Sequence, residues 1–385
     1  GQKFSCTISR NGDLLHRVYL EVDSSSAAAT LSASTVADQL ILAVGEYAKL
    51  GTVAAGSKVI FYGTTTGNLV NGSTYTVVEP TSTALTLKDA AGAAVAFVEA
   101  TVTGTLRAVN SNQGFEMIDY VEVEIGGQCI DKHYGEWMAI WCSLTHAGDK
   151  LGMLNKLLPV AGGAAAKSYI PLQFWFCRNP GLALPLIALQ YHEVKLNVQF
   201  NSAKTGGNSN TLGCCVFCDY IFLDTDERRR FAQVSHEYLI EQVQTSNKLT
   251  LNDGEGQAEL RFNHPVKEMM WVNNNGEVNT EALLQLNGHD RFRKRAGTYF
   301  TDVQRYEHHC GSGTVALAGA PAAIHMYSFA LKPEEHQPSG TCNFSRIDNA
   351  VLSVTGSAAA SMKVYAVNYN VLRIMSGMGG LAYSN

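Results

Sequence analysis

What this sequence is short of narrows the field first. Charged residues make up only 16% of the chain, against about 25% in an ordinary globular protein. No apolar run reaches the roughly 18 residues that a membrane-spanning helix needs. Net charge is −5, so no basic excess points to direct nucleic-acid binding or to an anionic membrane. The nine cysteines, from Cys6 to Cys342, lack the spacing of a disulfide framework. They read as mostly reduced, buried thiols made in a reducing compartment. The chain enters strand-like sequence at once, over Lys3–Ile8, so no signal peptide is expected. With Gly1 in place of Met, the numbering reads as starting inside a longer chain.

Motifs that carry chemistry are equally scarce. No H-x-H pair with a following Glu occurs, the set that metal-binding jelly-roll enzymes use, and no G-x-S-x-G elbow occurs. His308-His309-Cys310 lies beside Glu307, but adjacent residues in regular structure do not aim at one ion. Cys215 and Cys218 form a CxxC inside a strand, where they point to opposite faces, and no second CxxC completes four ligands. Gly162–Ser168 (GGAAAKS) imitates a phosphate loop, yet Ala161 and Ala166 stand where glycines are needed and a strand follows. Arg228-Arg229-Arg230 on a net-acidic chain reads as a solvated or interfacial helix face. The expectation is a non-enzyme with no catalytic residue, cofactor or metal. Two N-glycosylation sequons are present: Asn71, accessible in a turn-rich stretch, and Asn343, expected to be less exposed.

What is there is β-rich and modular. Residues 24–110 hold no Cys, His, Met or Trp and are rich in Ala, Thr, Val, Gly and Ser. Alternating runs such as Lys58–Tyr62 and Tyr75–Val78, with turns at Gly63, Gly67 and Asn71-Gly72, read as a small inserted β module. Leu14–Val22 leads into it and Met117–Ile125 leads out. A compact insert in a surface loop costs little if the loop ends already lie together.

The remainder carries a faint repeat. Ile125-Gly126-Gly127-Gln128 recurs as Leu286-Asn287-Gly288-His289, Ile170–Phe176 as Met326–Leu331, and Asp219–Leu223 as Asn368–Leu372. The order is kept, at offsets of roughly 150 to 160 residues. The first half reads as strands near 3–9, 14–22, 117–125, 169–176, 183–189, 192–200 and 215–223, with a helix near 147–158. The second reads as strands near 238–245, 257–263, 266–273, 282–287, 325–331, 349–355 and 363–374. Asp224–Gln233 joins them, helix-prone, with acids first and arginines later. This fits an all-β fold of two tandem eight-stranded antiparallel sandwiches, a double jelly roll. The expected boundaries are 1–23 plus 111–226 for the first roll and 24–110 for the inserted β module. Residues 227–236 form the linker and 237–385 the second roll. Gly377–Gly380 is expected to be flexible and to dock on a neighbour.

Longer words carry a resemblance. They include Glu124–Tyr134 (EIGGQCIDKHY), Pro180–Val194 (PGLALPLIALQYHEV) and Asp219–Asp224 (DYIFLD) with His236–Gln242 (HEYLIEQ). Phe262–Pro265 (FNHP), Leu286–Phe292 (LNGHDRF), Tyr327–Pro333 (YSFALKP) and Asn368–Asn385 (NYNVLRIMSGMGGLAYSN) follow. These resemble the major capsid proteins of nucleocytoplasmic large DNA viruses, the algal-virus branch in particular. The resemblance implies a structural protein whose homotrimer forms a pseudo-hexagonal capsomer. It also implies neighbouring capsomers, minor capsid proteins beneath the shell, and an internal viral membrane contacted at most indirectly. The location implied is the virion capsid, assembled in the host-cell cytoplasm. The resemblance further implies that the first strand of the first roll is missing and that the insert lies in the outward D–E loop as an outer-surface knob, serving host contact or passive decoration and capsomer stabilisation. The competing reading is a secreted carbohydrate-binding β-sandwich, which demands disulfides and exposed aromatic pockets.

Overall fold

The computed structural model describes residues 3–23, 29–31, 39–43, 55, 57–64, 69–71, 73–81, 84–89, 91–95, 103–109, 114–158, 167–201, 213–246, 249–251, 255–274, 276–311, 317, 320–356 and 360–383. The chain opens with β1 (Lys3–Thr7) and β2 (Leu14–Asp23). Six strands follow: β3 (Ala29–Thr30), β4 (Leu40–Ile41), β5 (Lys58–Thr64), β6 (Thr74–Pro80), β7 (Ala84–Lys88) and β8 (Thr103–Val109). They pair only with one another, in the order β3-β8-β5-β6-β7-β4. Their apolar positions, among them Val59, Phe61, Val77, Leu85 and Leu106, close a separate small core.

The first sandwich resumes with β9 (Ile118–Ile125), β10 (Gln128–Tyr134), the helices α1 (Gly135–Thr145) and α2 (Gly148–Leu157), and β11 (Lys167–Pro171). Then come α3 (Trp175–Arg178), β12 (Leu184–Pro185), β13 (Val194–Phe200) and β14 (Gly213–Ile221). One sheet runs β1-β13-β9-β10; in the other, β2 pairs with β11 and β12 on one side and β14 on the other. Strand β9 shows why it lies half inside: Val121, Val123 and Ile125 are buried while Tyr120, Glu122 and Glu124 alternate outward.

Helix α4 (Thr225–Gln233) joins the halves, with Asp226 and Glu227 in its first turn and Arg230 in its last. The second half contains β15 (His236–Thr245), β16 (Leu249–Leu251), β17 (Glu255–Glu259), β18 (Pro265–Asn273), β19 (Glu281–Leu286), β20 (His289–Asp290) and β21 (Arg295–Ala296). It ends with α5 (Gln304–His308), β22 (His325–Ser328), β23 (Cys342–Asn343), β24 (Ala350–Thr355), β25 (Ala360–Met375) and β26 (Met378–Leu381). The sheets run β15-β25-β18-β22 and β17-β24-β19-β20.

The sequence repeat maps onto equivalent elements. The β9–β10 turn has Gly126 and Gly127 at φ 58° and 87°; the β19–β20 turn has Asn287 and Gly288 at 50° and 78°. Positive φ at both central residues is the hairpin turn that suits strand twist, and it explains the Gly-Gly and Asn-Gly pairs. Strand β11 sits on β2 as β22 sits on β18, and β14 sits on β2 as β25 sits on β18.

Several expected strands are shorter than the sequence indicated. The 169–176 strand stops at Pro171 and its aromatic end becomes α3. The 183–189 strand keeps only Leu184–Pro185, because proline lacks the amide a ladder requires. The 325–331 strand ends at Ser328, where the Phe329 and Ala330 amides both turn onto the Lys267 carbonyl (2.9 and 3.1 Å). The 257–263 strand ends at Glu259, and the Leu260 amide donates instead to Ala350 (2.8 Å).

Candidate functional site: the joint between the two sandwiches

The sheet β15-β25-β18-β22 is buried on both faces. Met269, Trp271, Val364 and Ala366 point into the second sandwich's own core. Met270, Val272, Tyr365 and Val367 point the other way, into a core shared with the first sandwich. Adjacent residues of one strand thus belong to different cores, as a period of two requires.

Helix α1 fills the seam from the other side. Its Trp137, Met138, Ile140, Trp141 and Leu144 are all buried, the pattern of a helix enclosed on every side. Its first residue, Gly135, has no room for a side chain, because a Cβ there would lie 2.1 Å from the Phe115 carbonyl oxygen.

Within this apolar seam stands an ionic triad. The Glu241 carboxylate on β15 meets Arg178 Nη1 of α3 at 2.5 Å and Lys267 Nζ of β18 at 2.7 Å. Lys267 Nζ also donates to the Pro333 carbonyl (2.6 Å), and its side chain is fully buried. The Arg178 guanidinium lies 4.2 Å from the Trp141 ring centroid. Burial opposes the charge on Glu241, but Lys267 and then Arg178 outweigh it and hold the carboxyl below its ordinary range.

Further bonds fix the register between halves. Asp131 Oδ1 on β10 accepts from the Val243 amide (3.0 Å), and the Gln242 side-chain amide donates to the Ile130 carbonyl. His133 Nε2 lies 2.7 Å from Asp131 Oδ2, and its ring stacks on Phe174 at 4.3 Å. Burial keeps that imidazole's pKa below its ordinary value despite the aspartate. At the wetter edge, Tyr365 Oη and Lys363 Nζ both donate to Glu136 Oε2 (2.6 and 3.2 Å).

A second cluster clamps the opposite end. His309 Nε2 lies 3.0 Å from Glu268 Oε2, its Nδ1 lies 2.9 Å from Glu334 Oε1, and its side chain is fully buried. Burial works against the imidazolium, but Glu268 and then Glu334 raise its pKa to about 9. Cys310 Sγ reaches Glu334 Oε2 at 2.9 Å and the Thr145 carbonyl at the end of α1 at 3.1 Å. Arg305 donates to Ser143 O and the Gly311 amide to Leu144 O (2.9 and 2.7 Å). The two neighbouring side chains His309 and Cys310 therefore do converge on one group, a carboxylate. Among the described residues, no three His, Cys, Asp or Glu stand together as metal ligands.

Other residues singled out in the sequence fall as follows. Cys214 and Cys218 face inward and half-buried while Cys215 is exposed, as strand alternation requires. All nine cysteines are free thiols, but only Cys142 is buried; Cys6, Cys177, Cys214, Cys218 and Cys342 are half-buried and Cys129, Cys215 and Cys310 exposed, so the expectation of mostly buried thiols fails. Arg228 pairs with Asp13 (3.0 Å). Of GGAAAKS, Gly162–Ala166 lie outside the described residues, and Lys167-Ser168 open β11. Asn71 is exposed at a turn, and its Oδ1 accepts from the Gly63 amide (3.2 Å). Asn343 is exposed too, contrary to expectation, at the outer end of the short β23. The C-terminal hairpin packs on its own chain. The Tyr191 amide donates to Gly377 O, and Gly379 packs beside Leu189 and Ile125 of its own chain.

This architecture has relatives. The family model described as large eukaryotic DNA virus major capsid protein matches residues 227–282 and 275–380. Another, major capsid protein N-terminus, matches residues 42–224. The major capsid protein of Pyramimonas orientalis virus is 51% identical over 330 residues, 75% of this chain and 82% of that one. That of Paramecium bursaria Chlorella virus 1 is 39% identical over 357 residues, 70% of this chain and 79% of that one. Among solved structures, a chain of the PBCV-1 virus capsid superposes with a TM-score of 0.70 at 32% identity. It covers 100% of this chain and 93% of that one. The Faustovirus major capsid protein shares the fold, with a TM-score of 0.64 at 13% identity. The chain belongs to the major capsid proteins of large eukaryotic DNA viruses, structural proteins of the double jelly-roll fold rather than enzymes.

Proposed function

We propose that this chain builds the viral shell as a homotrimer, in which three double jelly rolls give a capsomer of pseudo-hexagonal outline. The observation that carries this reading is the joint. A buried ionic triad and a core shared by both sandwiches make the two rolls one rigid block, as a tile of fixed geometry must be. Large apolar side chains on the outside support association with further copies; Tyr306, Leu331 and Phe222 are 89%, 76% and 72% exposed.

In this reading, residues 1–23 plus 111–226 form the first roll, 227–236 the linker and 237–385 the second. Residues 24–110 form a knob on the outer face, available for host contact, and the exposed Asn71 offers a glycosylation site. Minor capsid proteins lie beneath, the internal membrane is touched at most indirectly, and assembly takes place in the host cytoplasm. Light scattering after size exclusion tests the trimer. A mass three times that of the single chain is expected; a monomer that persists at high concentration overturns it.

A further inference from the structure

A cavity of about 510 Å³ opens between the two sandwiches, at the wetter edge of the joint. Its volume is that of a small-molecule site. The wall draws on both halves: Glu116, Asp119, Tyr134 and Glu136 come from the first, Asn273 and Lys363 from the second. Three carboxylates thus stand against one ammonium, and the balance is acidic. Burial and then the Asp119 carboxylate raise the pKa of the Tyr134 hydroxyl, so the charge of Asp119 is felt along this wall.

Two acceptors here are unused. Asn273 is only 4% exposed. Its Nδ2 donates to the Glu277 carbonyl (3.0 Å) and to Asn279 Oδ1 (2.5 Å), while among the described residues its Oδ1 has no hydrogen-bond partner. A buried acceptor without a donor is costly, and a ligand that brings a donor relieves it. On Glu136, Oε2 takes both bonds, from Tyr365 Oη and Lys363 Nζ, and among the described residues Oε1 takes none. The carboxylates do not converge: no three acidic or other metal-ligating side chains among the described residues stand close enough to hold an ion. Ile118 and Pro321 add apolar surface to the same wall.

We infer that this cavity binds a small linear diamine or triamine, its ammonium groups on Glu116, Asp119, Glu136 and the Asn273 carbonyl oxygen, its methylenes against Ile118 and Pro321. An alkylammonium carries donors alone, which suits a wall whose open groups are acceptors. Separated ammonium groups match separated carboxylates, whereas one hard metal ion needs its oxygens gathered round it. The apolar patches suit a hydrocarbon linker and would be wasted on a hydrated ion. Because the wall is shared by both sandwiches, an occupant also ties them together and should raise the melting temperature.

Calorimetric titration of the purified protein at low ionic strength tests this, with spermidine, putrescine, butylamine and magnesium chloride as separate probes. Spermidine should bind once per chain and raise the melting temperature, and butylamine, with one charge, should bind about ten-fold more weakly or worse. Magnesium at equal concentration should not displace spermidine. Glu116→Gln combined with Asp119→Asn should weaken spermidine binding by about five-fold or more. Glu259→Gln combined with Glu335→Gln removes the same charge from exposed positions elsewhere and should leave binding unchanged. The inference is overturned by spermidine that does not saturate, by butylamine that binds as tightly, or by magnesium that displaces the triamine. Equal affinities in the two double variants overturn it as well, since they would reduce the effect to the net charge of the chain. The probe series needs no variant, so a variant that folds poorly leaves the test standing.

Discussion

Glu241 is the residue on which the seam turns. It is buried and serves two cations from different elements, Arg178 on α3 and Lys267 on β18. Removing its charge leaves the fully buried Lys267 ammonium with the Pro333 carbonyl as its remaining bond in the triad. Glu241→Gln should therefore cost about 3–5 kcal/mol in urea unfolding. Adding Lys267→Met should recover much of that, because an apolar replacement removes the stranded charge instead of exposing it. A single-variant loss below about 1 kcal/mol would show that water reaches the triad. His309 works differently. Its folded pKa is raised to about 9 from an ordinary 6.5, so its contribution is fully present below pH 6.5 and is lost as pH rises through 9. Glu334 is shifted the other way: burial raises its pKa, but bonds from His309 and Cys310 lower it more, so its share is lost on acidification. Between pH 6.5 and 9.5, the protein should lose on the order of 2 kcal/mol more than a His309→Gln variant does. Parallel stability curves for the two would remove His309 from the clamp.

At the scale of elements, legibility followed the number of wet faces. Strands β9 and β24 alternate buried and half-buried residues, and their sequences announce it. Strand β25 reads as a strand from its long β-prone run, but nothing local says that Tyr365 and Val367 face another sandwich. Helix α1 escaped detection for the same reason. Enclosed on every side, Trp137–Leu144 shows no polar stripe to reveal a helical period. The aromatic run Phe174–Phe176 looked like strand because aromatics favour strands, yet the seam needs it as a turn of helix. The joint itself was invisible. Arg178, Glu241 and Lys267 lie on three separate elements, and ion pairs between distant segments leave no local spacing. The paired turns at Gly126-Gly127 and Asn287-Gly288 were legible because positive φ restricts residue choice.

For the whole molecule, the question is which parts stand or fall together. The core shared by the two sandwiches includes Leu20 and Val123 from one and Met270 and Val367 from the other, so heat should melt both as one unit. The core of the β3–β8 sheet has no residue in common with the other two. The flanks of that insert already lie together: Asp23 pairs with Lys167 on β11, and the turn at Gly114–Met117 packs on β11 as well. Replacing residues 24–113 by a short Gly-Ser linker should therefore leave the main calorimetric transition intact. Shortening a loop of that length lowers its closure cost by about 2 kcal/mol, so the transition should stay in place or move slightly upward. A fall of more than about 5 °C would mean that the insert supports the sandwiches through contacts of its own. An unchanged transition would place the insert outside the folding of the sandwiches, as a loop segment free to vary in sequence.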